Sequence, residues 1–507
     1  MPEKYTQKMK AKLLDIEAGK LIAIMNEIDA KEFGIFPLDR VELMNHRTKK
    51  SVVTVVDTTD TMVGEDEVGI FADVSRLLDA KESDSLEVMA VGKPKSVEFI
   101  RKKMDGKKLS PDEIKAIIDD FSSNRLSEIE ASAFISAIYI LGISLDEIVS
   151  MTKALISDGK QLSFEGGPVL DKHSVGGVNG RATMIIVPII AAAGYLIPKT
   201  SSRSITSASG TADAMEVLCN VSLTLEEIKE ITEKVGGVIA WGGAVDLAPA
   251  DDKIIKIEHP LSLDPEGQVI ASVMAKKASV GAKFVVIDLP VGPDVKVKSR
   301  EQAEEMALKF LEVGKRLGMK LEVVLTNGSE PSGKAFGPAL EAKYVMEILE
   351  GKISDNLLKK SCELAGTLLE LAGGAKRGEG CRMATGLVRS GEALKKMQEI
   401  IQAQGGKILS SEEISLGKFK RTIDSETEGV VNKINVTLLN NIARIAGAPA
   451  HKRAGVMLFI DDSDHVKKGD PLFEIYAENE RKIELAEKFA RQHAVVEMER
   501  VILGKFG

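Results

Sequence analysis

Aromatic side chains are scarce in this chain of 507 residues: they make up 4% of it, with one tryptophan and five tyrosines. Single-stranded nucleic acids are usually bound by stacking on such side chains, so this kind of partner is not favoured. Acidic residues outnumber basic ones by 76 to 68, which gives a formal net charge of -8. We therefore expect neither a nucleic acid nor an anionic membrane surface as partner, since both attract basic proteins.

Cysteines are also few. Only Cys219, Cys362 and Cys381 are present, and no two of them have the spacing of a zinc or redox pair. The sequence indicates no disulfide framework, no metal site and no organic cofactor. Residues 1–17 are charged and lack the apolar centre of a signal peptide. We expect a cytoplasmic protein.

Two segments rich in glycine, hydroxyl groups and cations flank one apolar run. They are Asp171–Arg181 and Lys199–Asp213, and the run Met184–Gly194 between them is too short to cross a bilayer but suits a buried helix. Glycine lets backbone N–H groups approach an anion, and a helix N-terminus attracts it. Neither a P-loop nor a dinucleotide-binding GxGxxG pattern is present. We interpret the pair as an oxyanion site; an ordinary turn beside a core helix is the alternative for either segment alone.

The motifs DKHSVGG and KTSSRSITSASGTAD resemble the thymidine/pyrimidine-nucleoside phosphorylase family, and the second is most similar to its archaeal, AMP-specific branch. The resemblance covers residues 88–430 and implies a bound inorganic phosphate. By position, it implies these phosphate ligands: Lys172, Ser174, Thr183, Ser201 and Thr211. It also implies that AMP is bound by Gly176, Ser202, Arg203, Ser204, Ile205, Thr206, Ser207 and Thr211.

The stretch from Asp246 to Lys277 matches the family's base and sugar site. Ser272 and Lys276 correspond to a serine–lysine pair that lies on one helix face, because four residues separate them. Asp264 corresponds to the proton donor of the AMP branch. Such an acid would protonate the departing base near N7, which requires a raised pKa and hence partial burial. The residues alone favour the alternative that Asp264, in Leu-Asp-Pro, shapes a turn; the resemblance favours the proton donor.

A cationic loop follows the predicted strand Phe284–Pro290. Its Lys296 matches the lysine that the AMP branch uses, and at the carboxyl end of a strand it could hold a 5′-phosphate. A solvated loop is the alternative. Pyrimidine-specific members carry an arginine seven residues before the Asp264 position, where this chain has Ile257. An isoleucine cannot donate a hydrogen bond to a base oxygen, so a thymidine phosphorylase is less expected.

The resemblance implies a pentosyltransferase of nucleotide degradation that converts AMP and phosphate to adenine and ribose 1,5-bisphosphate, with CMP and UMP as further substrates to test. It also implies a homodimer or higher homo-oligomer. The alternatives are a pyrimidine-nucleoside (thymidine) phosphorylase, a phosphoribosyltransferase of the anthranilate type, which would need a divalent ion, and an assembly protein that binds AMP without cleaving it.

The pattern of elements predicts a multidomain α/β protein. A nucleoside-phosphorylase-like helical lobe and an α/β lobe would be flanked by an N-terminal β-barrel-like domain and a C-terminal α+β domain. The expected boundaries are 1–86 for the barrel, 87–165 and 248–283 for the helical lobe, 166–247 and 284–429 for the α/β lobe, and 430–507 for the C-terminal domain.

Overall fold

The computed structural model describes residues 6–176, 180–204, 207–261 and 263–499. Its first part is a closed barrel with the strand order β1-β5-β2-β4-β3-β6. Its elements are β1 (Thr6–Leu14), β2 (Ile22–Asn26), α1 (Glu27–Phe33), β3 (Arg40–Asn45), β4 (Ser51–Thr59), β5 (Glu67–Phe71), α2 (Ala72–Leu78) and β6 (Ser85–Val91). The valine-rich β4 suits a strand because β-branched side chains pack well on a pleated surface. Val41, Val56, Val68 and Ile70 fill the interior, and the predicted N-terminal barrel is confirmed.

Four helices follow: α3 (Ser96–Met104), α4 (Pro111–Ser122), α5 (Glu128–Leu141) and α6 (Leu145–Asp158). Ser110, Ser127 and Ser144 each accept a hydrogen bond from the backbone N–H of the glutamate three residues later. The carboxylate of that glutamate accepts one from the backbone N–H of the serine, so three capping boxes fix where these helices begin. The caps and the buried face of α4 confirm the predicted helical block. Arg40 of the barrel pairs with Glu130 of α5, which ties these two parts together.

A parallel α/β region comes next. Its elements are β7 (Val169–Ser174), α7 (Ala182–Ala192), β8 (Ile197–Ser201), α8 (Thr211–Met215), α9 (Leu225–Val235), β9 (Gly237–Trp241), α10 (Pro249–Leu261), α11 (Glu266–Ser279), β10 (Ala282–Val291), α12 (Arg300–Arg316) and β11 (Lys320–Asn327). One sheet has the order β11-β10-β7 and the second pairs β8 with β9. A parallel bridge from Val169 to Leu196 and the 2.8 Å hydrogen bond from Leu170 N to Leu196 O join them. The strands therefore run in the order β11-β10-β7-β8-β9.

The remaining elements are β12 (Ala335–Phe336), α13 (Pro338–Leu349), α14 (Asn356–Leu371), α15 (Gly380–Arg389), α16 (Glu392–Ala403), β13 (Phe419–Asp424), β14 (Gly429–Ile434), α17 (Val436–Ala446), β15 (Gly455–Leu458), β16 (His465–Val466), β17 (Pro471–Ala477), α18 (Glu480–Gln492) and β18 (Val496–Met498). A four-stranded sheet, β12-β15-β17-β13, and a second of order β16-β14-β18 are packed by α17 and α18. The C-terminal part is thus α+β, as predicted. Its first sheet also takes in β12 and β13, which precede residue 430.

Two compact units are formed: Met1–Gly159 with Ala248–Ser272, and Lys160–Leu247 with Val273–Gly507. Helix α10 belongs to the first, with the barrel and the helices α3–α6. The apolar helix α7 lies in the core of the second, where Ile185, Ile186 and Ile189 are fully covered. Among the helices in the described ranges, none has the length and apolarity needed to cross a membrane.

Candidate active site

The order of the strands indicates where a ligand can bind. From β7 the chain proceeds outward through β8 to β9, and it then returns to the other side of β7 with β10 and β11. In open parallel sheets, ligands bind beyond the carboxyl ends of the strands at such a reversal. Here that position lies where β7 ends, at Lys172 and Ser174, next to β10. Two of the predicted phosphate ligands therefore lie at the reversal point.

Asp288 of β10 contacts both Lys172 and Ser174. Its carboxylate accepts hydrogen bonds of 2.6 Å from the hydroxyls of Ser174 and Thr326, and Lys172 and Lys360 lie 3.7 and 3.3 Å from it. Lys172 also donates to Ser174. Burial lowers the pKa of Lys172 to about 8; Asp288 opposes that shift, whereas Lys360 adds to it. Burial would raise the pKa of Asp288, but the two lysines and the hydroxyls outweigh it and lower that pKa.

A second buried network lies one residue earlier on β7. Asp171 is fully buried and is paired with Lys277 and, at 3.4 Å, with Lys199. Burial would raise the pKa of Asp171, but these two lysines hold it below its ordinary value. Burial, together with repulsion from Lys277 and Lys199, lowers the pKa of His173 well below its ordinary value. His173 is therefore neutral at physiological pH and adds no charge for an anion.

The two networks contain four lysines, at positions 172, 199, 277 and 360, and two aspartates. An isolated buried charge is costly, and the carboxylates offset part of that cost. Burial and repulsion from Lys277 lower the pKa of Lys199, so the positive charge comes mainly from the other three lysines. Lys172 and Lys360, which share Asp288, suit an anion at the carboxyl ends of the strands. Sequence analysis missed Asp288, Lys360 and Thr326. A charged residue inside the apolar strand sequence FVVIDLP was a signal for Asp288, whereas nothing in α14 marks Lys360.

The second glycine-and-hydroxyl segment is folded against α8. Gly210 lies so close to the backbone of Ser202–Ser204 that a Cβ atom there would come within 2.6 Å of it. Asp213 of α8 accepts hydrogen bonds from the backbone N–H groups of Ser204 and Gly210, at 2.7 and 2.9 Å. The end of β8, with Ser201, is thus held beside the start of α8, with Thr211. Thr183 lies in the first turn of α7.

Two arginines fix this arrangement. Arg181, at the start of α7, donates to Ser209 O at 2.7 Å and pairs with the buried Glu341. Arg203 donates to Asp213 at 3.2 Å and to Glu216 at 2.7 Å, and its guanidinium lies 4.7 Å from the centre of the Trp241 ring. Arg203 is thus engaged with protein groups, and its predicted contact with AMP stays a prediction. Ile205 and Thr206, also predicted to contact AMP, lie outside the described residues.

Lys296 and Gly176, two residues predicted to bind AMP, are in contact. Gly176 has a φ of +63°, which favours glycine, and the stem of Lys296 occupies the place where a Cβ atom of residue 176 would lie. In the same loop, Lys298 donates to Pro293 O at 2.7 Å, and Arg300 donates to Glu304 at 2.8 Å. Lys296 is an exposed residue, and its stem lies at Gly176, just after the end of β7.

The predicted base-binding residues lie at α10 and α11. Ser272, half-buried on α11, donates a 2.7 Å hydrogen bond to the fully buried Asp251 of α10. Lys276 follows one turn later on α11. Asp264 lies in the short segment between the two helices and is exposed. That exposure differs from the predicted partial burial of Asp264, and the role of Asp264 as an acid stays a prediction.

The chain matches known protein families over three of its segments. Residues 97–159 match the helical bundle domain of a glycosyl transferase family, residues 166–394 match the a/b domain of that family, and residues 430–497 match the pyrimidine nucleoside phosphorylase C-terminal domain. Anthranilate phosphoribosyltransferase from Thermus thermophilus has a similar fold: the TM-score is 0.51 at 20% identity, covering 61% of this chain and 99% of that one. The chain therefore has the architecture of a nucleoside-phosphorylase-type glycosyl transferase.

Relatives that match over nearly their full length show which family within this class the chain belongs to. The chain is 44% identical to the AMP phosphorylase of Methanocella arvoryzae over 98% of its own length and 99% of the relative's. It is 45% identical to AMP phosphorylase 1 of Archaeoglobus fulgidus, with the same coverage. It is 44% identical to the AMP phosphorylase of Thermococcus kodakarensis over 99% of both chains. The chain belongs to the AMP phosphorylase family, and the relatives do not support the thymidine alternative.

Proposed function

We propose that this chain is a pentosyltransferase that converts AMP and inorganic phosphate to adenine and ribose 1,5-bisphosphate. The observation that carries the proposal is the buried lysine network at the end of β7, where Lys172 and Ser174 meet Asp288. Its surplus of cations is suited to a phosphate ion, which is the nucleophile that this reaction needs. Family membership supports AMP as the first substrate, with CMP and UMP to be compared.

In the proposed reaction, an oxygen of phosphate attacks C1′ of the nucleotide as the bond from C1′ to the base breaks. Lys172, Ser174, Thr183, Ser201 and Thr211 hold the phosphate. Fixing the nucleophile is the larger contribution, because a held ion avoids the entropic cost of a bimolecular encounter. Asp264 donates a proton to the departing base, which adds on the order of 10²–10⁴-fold.

The simplest test supplies AMP with and without phosphate and measures free adenine. The proposal requires adenine only when phosphate is present, together with a sugar product that carries two phosphates. Adenine release without phosphate would contradict it. Asp264→Asn is expected to lower turnover about 100-fold if the carboxyl acts as the acid. Unchanged turnover in that variant would remove Asp264 from the mechanism and leave the reaction itself standing.

Lys296 is proposed to bind the 5′-phosphate of AMP. Its stem packs on Gly176, just after the end of β7, and the residue is exposed in a loop after β10. Lys296→Ala is expected to raise KM for AMP roughly tenfold or more, since a hydrogen bond to a charged group is lost, and to leave KM for phosphate unchanged. Lys298→Ala removes the same charge from the same loop and is the matched control. Equal effects of the two variants would contradict the assignment.

We also propose that the protein forms a homodimer or larger homo-oligomer through its helical lobe. Helix α5 exposes Ile129 at 74% and Ile140 at 76%, which leaves apolar side chains in water unless another surface covers them. Ile140→Asp should lower the mass measured by light scattering, whereas Leu308→Asp, at a similarly exposed leucine of α12, should not. A monomeric native protein would refute this proposal.

A further inference from the structure

Asp251 and Ser272 form a contact that constrains what Ser272 can bind. Asp251 lies in the first turn of α10, where the helix dipole favours a carboxylate, and it is fully buried. One of its oxygens accepts a 2.9 Å hydrogen bond from the side-chain amide of Gln268. The other accepts a 2.7 Å hydrogen bond from the hydroxyl of Ser272. Both neighbours on α11 are therefore donors to this one carboxylate.

A serine hydroxyl has one proton and two acceptor lone pairs. Because the proton of Ser272 is directed at Asp251, its oxygen can only accept a hydrogen bond from a further partner. Any ligand atom that meets this oxygen must therefore carry an N–H or O–H group. A ligand acceptor placed there would face a second acceptor, and an unpaired buried acceptor costs free energy.

We infer that Asp251 is a positioning residue that makes Ser272 a hydrogen-bond acceptor for the exocyclic amino group of the base. The inference rests on the proposed function and on the contact of Ser272 with the base of AMP, which the resemblance implies. The ring nitrogens of adenine that are free in AMP are acceptors, so the 6-amino group is the one donor that the base offers. The chemical class selected is thus a nucleotide whose base presents an amino group at this position.

The test compares AMP with purine riboside 5′-monophosphate, which lacks only the 6-amino group. The ratio of their kcat/KM values at saturating phosphate is the readout. Ser272→Ala should lower the preference for AMP roughly tenfold, the value of one hydrogen bond at the upper end of its usual range. Asp251→Ala should lower the same preference because the freed hydroxyl can turn its proton toward the base. The double variant should show no further loss, since both changes remove one interaction.

Two further variants separate positioning from a general structural role. Asp251→Asn keeps an oxygen that can accept from Ser272, and Gln268 can turn its amide to accept from the new side-chain N–H, so the preference for AMP should persist. Asp252→Asn changes the same charge one residue along and should leave the ratio unaltered. If Asp251 had only a structural role, its substitution would lower kcat/KM for both nucleotides by the same factor, and their ratio would not change.

The inference is overturned if Ser272→Ala leaves the ratio at the wild-type value, or if Asp251→Ala lowers both rates equally. If Asp251→Ala does not fold, Ser272→Ala and Asp251→Asn still decide the question. Wild-type protein that releases no adenine in the presence of phosphate would refute the proposed function itself. Active wild-type protein with an unmoved ratio would refute only the role of Asp251 and Ser272.

Discussion

The lowered pKa of Lys172 predicts how the use of phosphate depends on pH. The phosphate site needs Lys172 in its charged form, and burial brings its pKa to about 8. The charged fraction is nearly complete well below that value and falls as pH rises through it. At about pH 9, one unit above the pKa, roughly a tenth of the lysines are charged, so kcat/KM for phosphate should fall about tenfold. The assay is initial rate against phosphate at saturating AMP, from neutral pH upward.

Two variants should move the alkaline limb, which is the fall of kcat/KM for phosphate with rising pH, in opposite directions. Asp288 raises the pKa of Lys172, so Asp288→Asn should shift the limb to lower pH. Lys360 lowers that pKa by charge repulsion, so Lys360→Met should shift the limb to higher pH even if phosphate binds more weakly overall. A flat profile over this range would refute the reasoning. A limb that does not respond to either variant would show that some group other than Lys172 titrates.

The remaining predictions concern stability and the glycine contact. Arg181→Ala leaves the carboxylate of Glu341, which is 2% exposed, without its guanidinium, and should destabilise the fold by about 3–5 kcal/mol, measured by urea unfolding. Arg382→Ala breaks an exposed pair with Glu379 and should cost at most about 1 kcal/mol; equal losses would contradict the burial argument. Gly176→Ala places a methyl group against the Lys296 stem and should raise KM for AMP. Gly194→Ala also has a positive φ but nothing near its Cβ, so an equal rise there would refute the contact's role.

Local signals predicted much of the fold. Ser110, Ser127 and Ser144 are each followed three residues later by glutamate, a pattern that predicts a helix start, and a helix begins after each of them in the structure. Short-range hydrogen bonds decide these starts, so a few neighbouring residues contain the information. The apolar strand β10 was predicted within two residues of its observed ends for the same reason. Residue periodicity did not give the strand order, because the pairing of β10 with β7 joins segments more than a hundred residues apart.

The site was predicted in part. The resemblance pointed to Lys172 and Ser174, which the structure brings together, and to Gly176 and Lys296, which are in contact. The carboxylate that holds Lys172 and Ser174 was not predicted, because Asp288 is 114 positions from Ser174 in sequence. Asp251 is 21 positions from Ser272 and resembles any acidic residue in the first turn of a helix.

These unpredicted carboxylates also explain why the ligands are arranged before any substrate arrives. A lysine on a flexible stem loses rotamer freedom when it closes on an ion, and this loss weakens binding. Lys172 is already held near Asp288, so part of that loss occurs during folding. The hydroxyl of Ser174 donates to Asp288 and must turn its proton before it can donate to phosphate. This arrangement also weakens phosphate binding, because Asp288 competes with phosphate for the hydrogen-bond donors of Lys172 and Ser174. Lys360, 3.3 Å from Asp288, supplies an additional cation to that carboxylate and so leaves more of the charge of Lys172 for an anion. Binding strength at this site should therefore depend on Lys360 even if Lys360 never touches phosphate.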